Sequence, residues 1–147
     1  LLSKEGDYGM TPLNPDYLTA LATQLGSVSA FFGGFAATML ALFLTVGGKS
    51  RGSLVAAHGS AVAAVSFIVA VMASSALVAI AHPDAPLATA ARSTTAIRPL
   101  LGISFSIGII GLLVAIAASG WSHSKAMGWT TSIISSVAIL AVFLLVK

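Results

Sequence analysis

Residues Leu54–Ala81 read LVAAHGSAVAAVSFIVAVMASSALVAIA, 28 residues with one histidine and no Asp, Glu, Lys or Arg. As a helix rising 1.5 Å per residue, such a run is about 42 Å long, more than the roughly 30 Å of bilayer hydrocarbon. Outward from it lie three further apolar stretches, Leu25–Val46, Leu100–Ser119 and Met127–Val146. Each is about the 20 residues that a helix needs to cross a membrane. The expected fold is all-α: a polytopic, multi-pass integral membrane protein whose four transmembrane helices form a bundle of two helical hairpins.

Composition agrees with that reading. Hydrophobic residues make up 57% of the 147 and charged residues 7%, against about 25% charged in a soluble domain. So few charges could not cover a surface in water. The length leaves room for one membrane domain and no second globular unit. Seven basic residues against four acidic ones give a net charge of +3. The basic residues flank the apolar runs, where topology accounts for them. With no basic run and no recognition helix, the expected partners are the lipid bilayer and other membrane subunits or copies of the chain, and not nucleic acid. The absence of cysteine excludes disulfides, thiolate metal sites and iron–sulfur clusters.

The punctuation of the chain sets two domain segments. Residues 1–14 are polar and contain Gly6, Gly9 and Pro12, so they read as an N-terminal arm; without an apolar run they are not a signal peptide. Residues 15–147 form the four-helix domain, with spans expected near 15–46, 53–81, 100–120 and 126–146. Asn14-Pro15-Asp16 suits a helix start: a capping side chain, a proline at the first helical position and a carboxylate at the positive dipole end. Gly47-Gly48 ends that helix, and Lys49 and Arg51 keep the turn out of lipid. His82-Pro83-Asp84 stops the second. The connection 82–99 holds Pro83, Pro86 and Pro99, and within it Leu87–Ala96 could form a short interfacial helix. Gly120–Ala126 is the last turn, where Trp121 and Trp129 suit an interfacial aromatic belt. Three Lys or Arg near one surface, Lys49, Arg51 and Lys125, face four on the other, Lys4, Arg92, Arg98 and Lys147. The Lys49–Arg51 cluster favours both termini outside.

Small residues recur at helical spacing. The first helix has Gly26, Ala30, Gly34 and Thr38 at intervals of four, with Gly33, Ala37 and Ala41 beside them. The second has Ser66, Ala70 and Ser74; the third has Gly111, Ala115 and Ser119, with Ser104 and Gly108 on another face; the fourth has Ser132 and Ser136. Between helices in lipid the hydrophobic drive is small, so close backbone approach through such residues carries association. The expected helix-packing residues are Gly26, Ala30, Gly33, Gly34, Ala37, Gly111 and Ala115, with the Gly/Ala face of the first helix against protein. Gly33-Gly34 reads as a packing notch in preference to a hinge. Leu112, Leu113, Phe143 and Leu144 are expected to face lipid.

No Asp, Glu, Lys or Arg falls in the middle of a span, and proton relays, coupled transport and voltage sensing depend on such groups. A path lined by hydroxyls remains, with Thr38, Ser66, Ser74, Ser104 and Ser106 as candidates; the competing reading is that each bonds back to its own helix. His58, about one turn inside the second span, is the candidate cofactor ligand for haem or chlorophyll. With no carboxylate near it, no metal site is expected and no cofactor is assigned. There is no Gly-x-Ser-x-Gly elbow and no serine with a His–acid pair in sequence context, so the chain is not expected to be an enzyme.

The segment Ser29–Ala37, SAFFGGFAA, resembles the first span of Orai-type calcium channels, which are also short four-helix subunits. The acidic selectivity residue that the resemblance implies further along is absent, with Leu42 near its place, so no function comes with it. The expected function is a non-catalytic integral membrane subunit, packing through small-residue helix faces as an accessory or scaffold component of a larger assembly. The alternatives are a homo-oligomeric ion channel or small-solute permease with a Ser/Thr-lined path and, behind it, a haem- or chlorophyll-binding subunit using His58.

Overall fold

A computed structural model describes residues 15–46, 50–82 and 96–146. The expected N-terminal arm, the turn residues 47–49 and the expected interfacial helix at Leu87–Ala96, apart from its last residue, lie outside the described residues. Four helices follow in order: α1 (Pro15–Thr45), α2 (Arg51–Ala81), α3 (Ile97–His123) and α4 (Lys125–Val146). Three are long and apolar enough to cross a membrane, over Asp16–Thr45, Arg51–Ala81 and Ile97–Trp121.

Serines set the helix starts at one end of the molecule. The Ser50 hydroxyl accepts the Ser53 amide at 3.2 Å, so α2 begins at Arg51. Ser124 separates α3 from α4 by a single extended residue, and its hydroxyl accepts the Met127 amide at 3.2 Å. Both are side-chain caps on otherwise unmet first-turn amides. Hydroxyls within the helices turn inward: Thr23, Thr38, Thr45, Ser75, Ser106 and Thr130 each donate to the carbonyl four residues back. This back-bonding hides the polar atom without a partner from another helix.

The helices pack in chain order. α2 lies between α1 and α3, α1 and α3 meet only marginally, and α4 packs on α3 and on neither of the other two. The helical bundle is therefore open, with α1 and α4 at its two ends. Its broadest interface, α2 against α3, joins the two hairpins.

The interior is built of small side chains. Of the buried residues of α2, which include Ala56, Gly59, Ser60, Ala63 and Ala70, only Phe67 and Leu77 are larger than Ala or Ser. The large apolar residues point out: Phe31, Leu44, Val65, Ile68, Met72, Ile103, Ile134, Val137 and Leu144 are all exposed. Leu144 thus lies outward, but Leu112, also expected at the lipid face, is only 7% exposed. It neighbours Gly111 on the broad face that α3 turns to α2 and joins the cluster around Phe67. Leu113 is half-buried, and the Phe143 side chain is outside the described set.

Candidate helix-packing and interfacial sites

At the crossing of α2 and α3 the two backbones come close together. A Cβ placed on Gly59 would come within 2.9 Å of the Gly111 carbonyl oxygen and 3.0 Å of the Ala115 nitrogen; one on Gly111 would meet the Gly59 oxygen at 3.0 Å and the Ala63 nitrogen at 3.1 Å. The relation is reciprocal and the obstacle is backbone, which cannot rotate away. Two Gly-x-x-x-Ala rows, Gly59/Ala63 and Gly111/Ala115, are set against each other. Gly111 and Ala115 are therefore packing residues within the chain. Gly59 and Ala63, absent from the sequence-derived set, are their counterparts.

Beside this crossing Phe67 fills the space that small residues leave. It is fully buried, and its ring lies 5.7 Å from Phe32 of α1 and 6.1 Å from Phe105 of α3, centroid to centroid. Those separations lie in the range of favourable aromatic pairs. Gly108 makes room for the ring: a Cβ there would come within 2.8–2.9 Å of three of its atoms. Phe67 of α2 thus ties α1 and α3 to one aromatic cluster.

The α1 row divides. Gly26 is half-buried against Ser74, and Gly33 has the Cβ of Phe67 3.2 Å from where its own would stand. A methyl on Gly34 would have nothing within 4 Å, and Ala30, Ala37 and Thr38 are exposed with it. The small residues of α1 turned toward α2 are Ala22, Gly26, Ser29, Gly33 and Ala36, spaced four, three, four, three, with Leu25 and Phe32 packed beside them. A furrow of about 350 Å³ runs between the open strip and α2, with Ala30, Gly34, Ala37, Ile68 and Met72 along it.

The hydroxyl candidates are spread over three helices. Thr38 Oγ1 donates to the Gly34 carbonyl at 2.9 Å, Ser106 Oγ to Gly102 at 2.8 Å and Ser74 Oγ to Val71 at 2.8 Å. Ser104 is buried and Ser66 half-buried. Thr38 lies on α1 and Ser106 on α3, helices that α2 separates over most of their length. His58 is exposed, and its Nδ1 lies 2.7 Å from the Leu54 carbonyl. A carbonyl only accepts, so Nδ1 is the donor in this contact. Among the described residues no three His, Asp or Glu side chains gather.

The end holding Ser50 and Ser124 has its own architecture. Trp121 Nε1 donates to Ser132 Oγ at 3.0 Å, its ring covers Gly128, and the Trp129 ring lies 6.5 Å away, tilted by 45°. Thr131 Oγ1 reaches across to the Ala117 carbonyl at 3.2 Å. These contacts lock the α3–α4 hairpin. Because α2 and α4 do not touch, a groove of about 610 Å³ opens between them over α3, with Arg51 and Ser50 at one side and Trp121 and Ser132 at the other. No family model, no curated protein and no solved structure matches the chain.

Proposed function

We propose that the chain is a non-catalytic, multi-pass membrane subunit that crosses the bilayer four times and assembles with other subunits through the open strip of α1. The observation that carries this reading is the inversion of size between inside and outside. Ala, Gly and Ser fill the seams, while Phe, Leu, Ile, Val and Met lie exposed along the helices. In water so large an apolar surface would drive aggregation; in lipid it is the favourable surface, and small residues are what helices need to approach. Back-bonded hydroxyls on the exposed faces fit the same medium, where an unmet polar group costs several kcal/mol; the hydroxyls without a partner among the described residues, Ser29, Ser60 and Ser135, are buried in the protein and away from that surface.

The assembly part rests on Ala30, Gly34, Ala37 and Thr38. They offer another helix the kind of surface that Gly59 and Ala63 offer α3, and among the described residues nothing lies within 4 Å of where a Gly34 methyl would stand. Native mass spectrometry of protein extracted gently from its own membrane tests both parts. Carbonate-washed membranes should retain the chain, and the extracted species should be an oligomer or a stoichiometric complex that Gly34→Leu dissociates. Release by carbonate would refute the membrane reading. A monomer, or an assembly indifferent to Gly34→Leu, would refute the role of α1.

A further inference from the structure

The groove between α2 and α4 has a polar, positive mouth and an apolar shaft. Its mouth lies at the end of the molecule where α2 and α4 begin. The described charged residues there are Arg51 and Lys125, whereas the chain's four acids, Glu5, Asp7, Asp16 and Asp84, fall in neither of the turns at that end. Arg51 is exposed and heads α2, so its guanidinium and the positive end of the helix dipole act at one place. Trp121, fixed by Ser132, forms the facing wall, and with Trp129 it marks the depth at which indoles sit in a headgroup layer. Below the mouth the lining turns apolar: Val55 from α2, then Ala118 and Val114 from α3. Val114 is two helical turns from Trp121, about 10 Å along the axis.

We propose that this groove holds one anionic phospholipid, its phosphate paired with Arg51 and the upper part of an acyl chain lying against Val55, Ala118 and Val114. The inference rests on the membrane reading. A free phosphate would have no use for the shaft, and a zwitterionic head would gain less from an end whose described charges are all positive. The gap between α2 and α4 gives the lipid a lateral entrance, and the bidentate guanidinium suits a phosphate better than an ammonium would.

The test is native mass spectrometry of the full chain in a mild non-ionic detergent, titrated with an equimolar mixture of dioleoyl phosphatidylglycerol and dioleoyl phosphatidylcholine. The first adduct should be phosphatidylglycerol. Arg51→Gln should lower its retention about fivefold, the value of one basic residue at an anionic membrane surface, and lower that of phosphatidylcholine, whose choline already offsets the phosphate charge, by less. Ala118→Phe, which fills the shaft and keeps the charge, should reduce retention of both lipids. Lys125→Gln, at the same end but not lining the groove, should reduce the preference less than Arg51→Gln does. Thermal unfolding in the same detergent checks that each variant is folded. An undiminished preference in Arg51→Gln, full binding in Ala118→Phe, or an equal loss in Lys125→Gln overturns the site. Carbonate extraction separates the two readings: a membrane-retained chain without lipid preference refutes the groove alone, and a released chain refutes both.

Discussion

The α2–α3 crossing and the outer strip of α1 are made of the same residues and do different things. Gly59 and Ala63 lie against Gly111 and Ala115 so closely that a single methyl would meet backbone. Gly34, with Ala30 and Ala37 beside it, has open space where its methyl would stand. A small residue permits close approach without causing it. What distinguishes the crossing is a second small row at the same depth on the opposing helix, and a large side chain, Phe67, that fills the volume beside it. The outer strip has the first ingredient and, within one chain, neither of the others.

The largest way to break the crossing is therefore to remove its filler. Phe67→Ala leaves a cavity bounded by Phe32, Phe105 and Gly108, in seams too tightly set to collapse. It should cost about 3–5 kcal/mol, read as a lowered unfolding midpoint in detergent; a loss under about 1 kcal/mol would mean that the three helices do not share one core. Gly59→Ala comes next. Its methyl would sit 2.9 Å from the Gly111 oxygen, and parting the helices to admit it should cost about 1–3 kcal/mol, the usual penalty of overpacking. Unchanged stability would show that the crossing is looser than its geometry.

The four helices were legible because their causes are local, although α2 begins at Arg51 and not at 53, and α3 runs over Ile97–His123 and not 100–120, so that the expected turn Gly120–Ala126 shrinks to Ser124. Asn14-Pro15-Asp16, Gly47-Gly48 and His82-Pro83 punctuate apolar runs, and punctuation is written in consecutive residues. The division of α1 was not legible from a spacing of four. At 3.6 residues per turn each step of four advances by about 40°, so Gly34 lies about 80° around the helix from Gly26. A row drawn through both leaves the α2 interface part-way along. The inward set, Ala22, Gly26, Ser29, Gly33 and Ala36, averages 3.5, the repeat of a left-handed helix pair. Gly59 carried a signal, since Gly59-x-x-x-Ala63 matches Gly111-x-x-x-Ala115, but each row is meaningful only with its partner opposite, and that pairing belongs to the fold. Leu112 was misplaced for the related reason that α3 turns a broad face to α2. The Arg51 groove exists only because α4 leaves α2 uncovered, and nothing local in the sequence encodes that gap.

The comparison sharpens most when one substitution is made on both sides. Gly34→Ala adds the same methyl as Gly59→Ala, into open space and on a helix. Its sign should reverse: the monomer should be unchanged or stabilised by up to about 0.4–1 kcal/mol, the usual gain of replacing a compatible glycine. Denaturant midpoints of the two variants in one detergent check this. A destabilised Gly34→Ala monomer would place that strip inside the chain's own packing and remove it as a surface for another subunit.

The smallest expected effect is at Thr38, on the same strip. Its hydroxyl is already committed to the Gly34 carbonyl at 2.9 Å, so it offers little to a neighbour or to a passing solute. Thr38→Val keeps the branched shape and deletes only that back-bond. Monomer stability should stay within about 0.5 kcal/mol, as for a surface substitution that breaks no buried contact, and the oligomer distribution in native mass spectra should not move. A shifted distribution with unchanged monomer stability would mean that the hydroxyl leaves its own carbonyl and bonds a partner helix. In that case association on the α1 strip would draw on a polar contact as well as close approach, which the α2–α3 crossing does without.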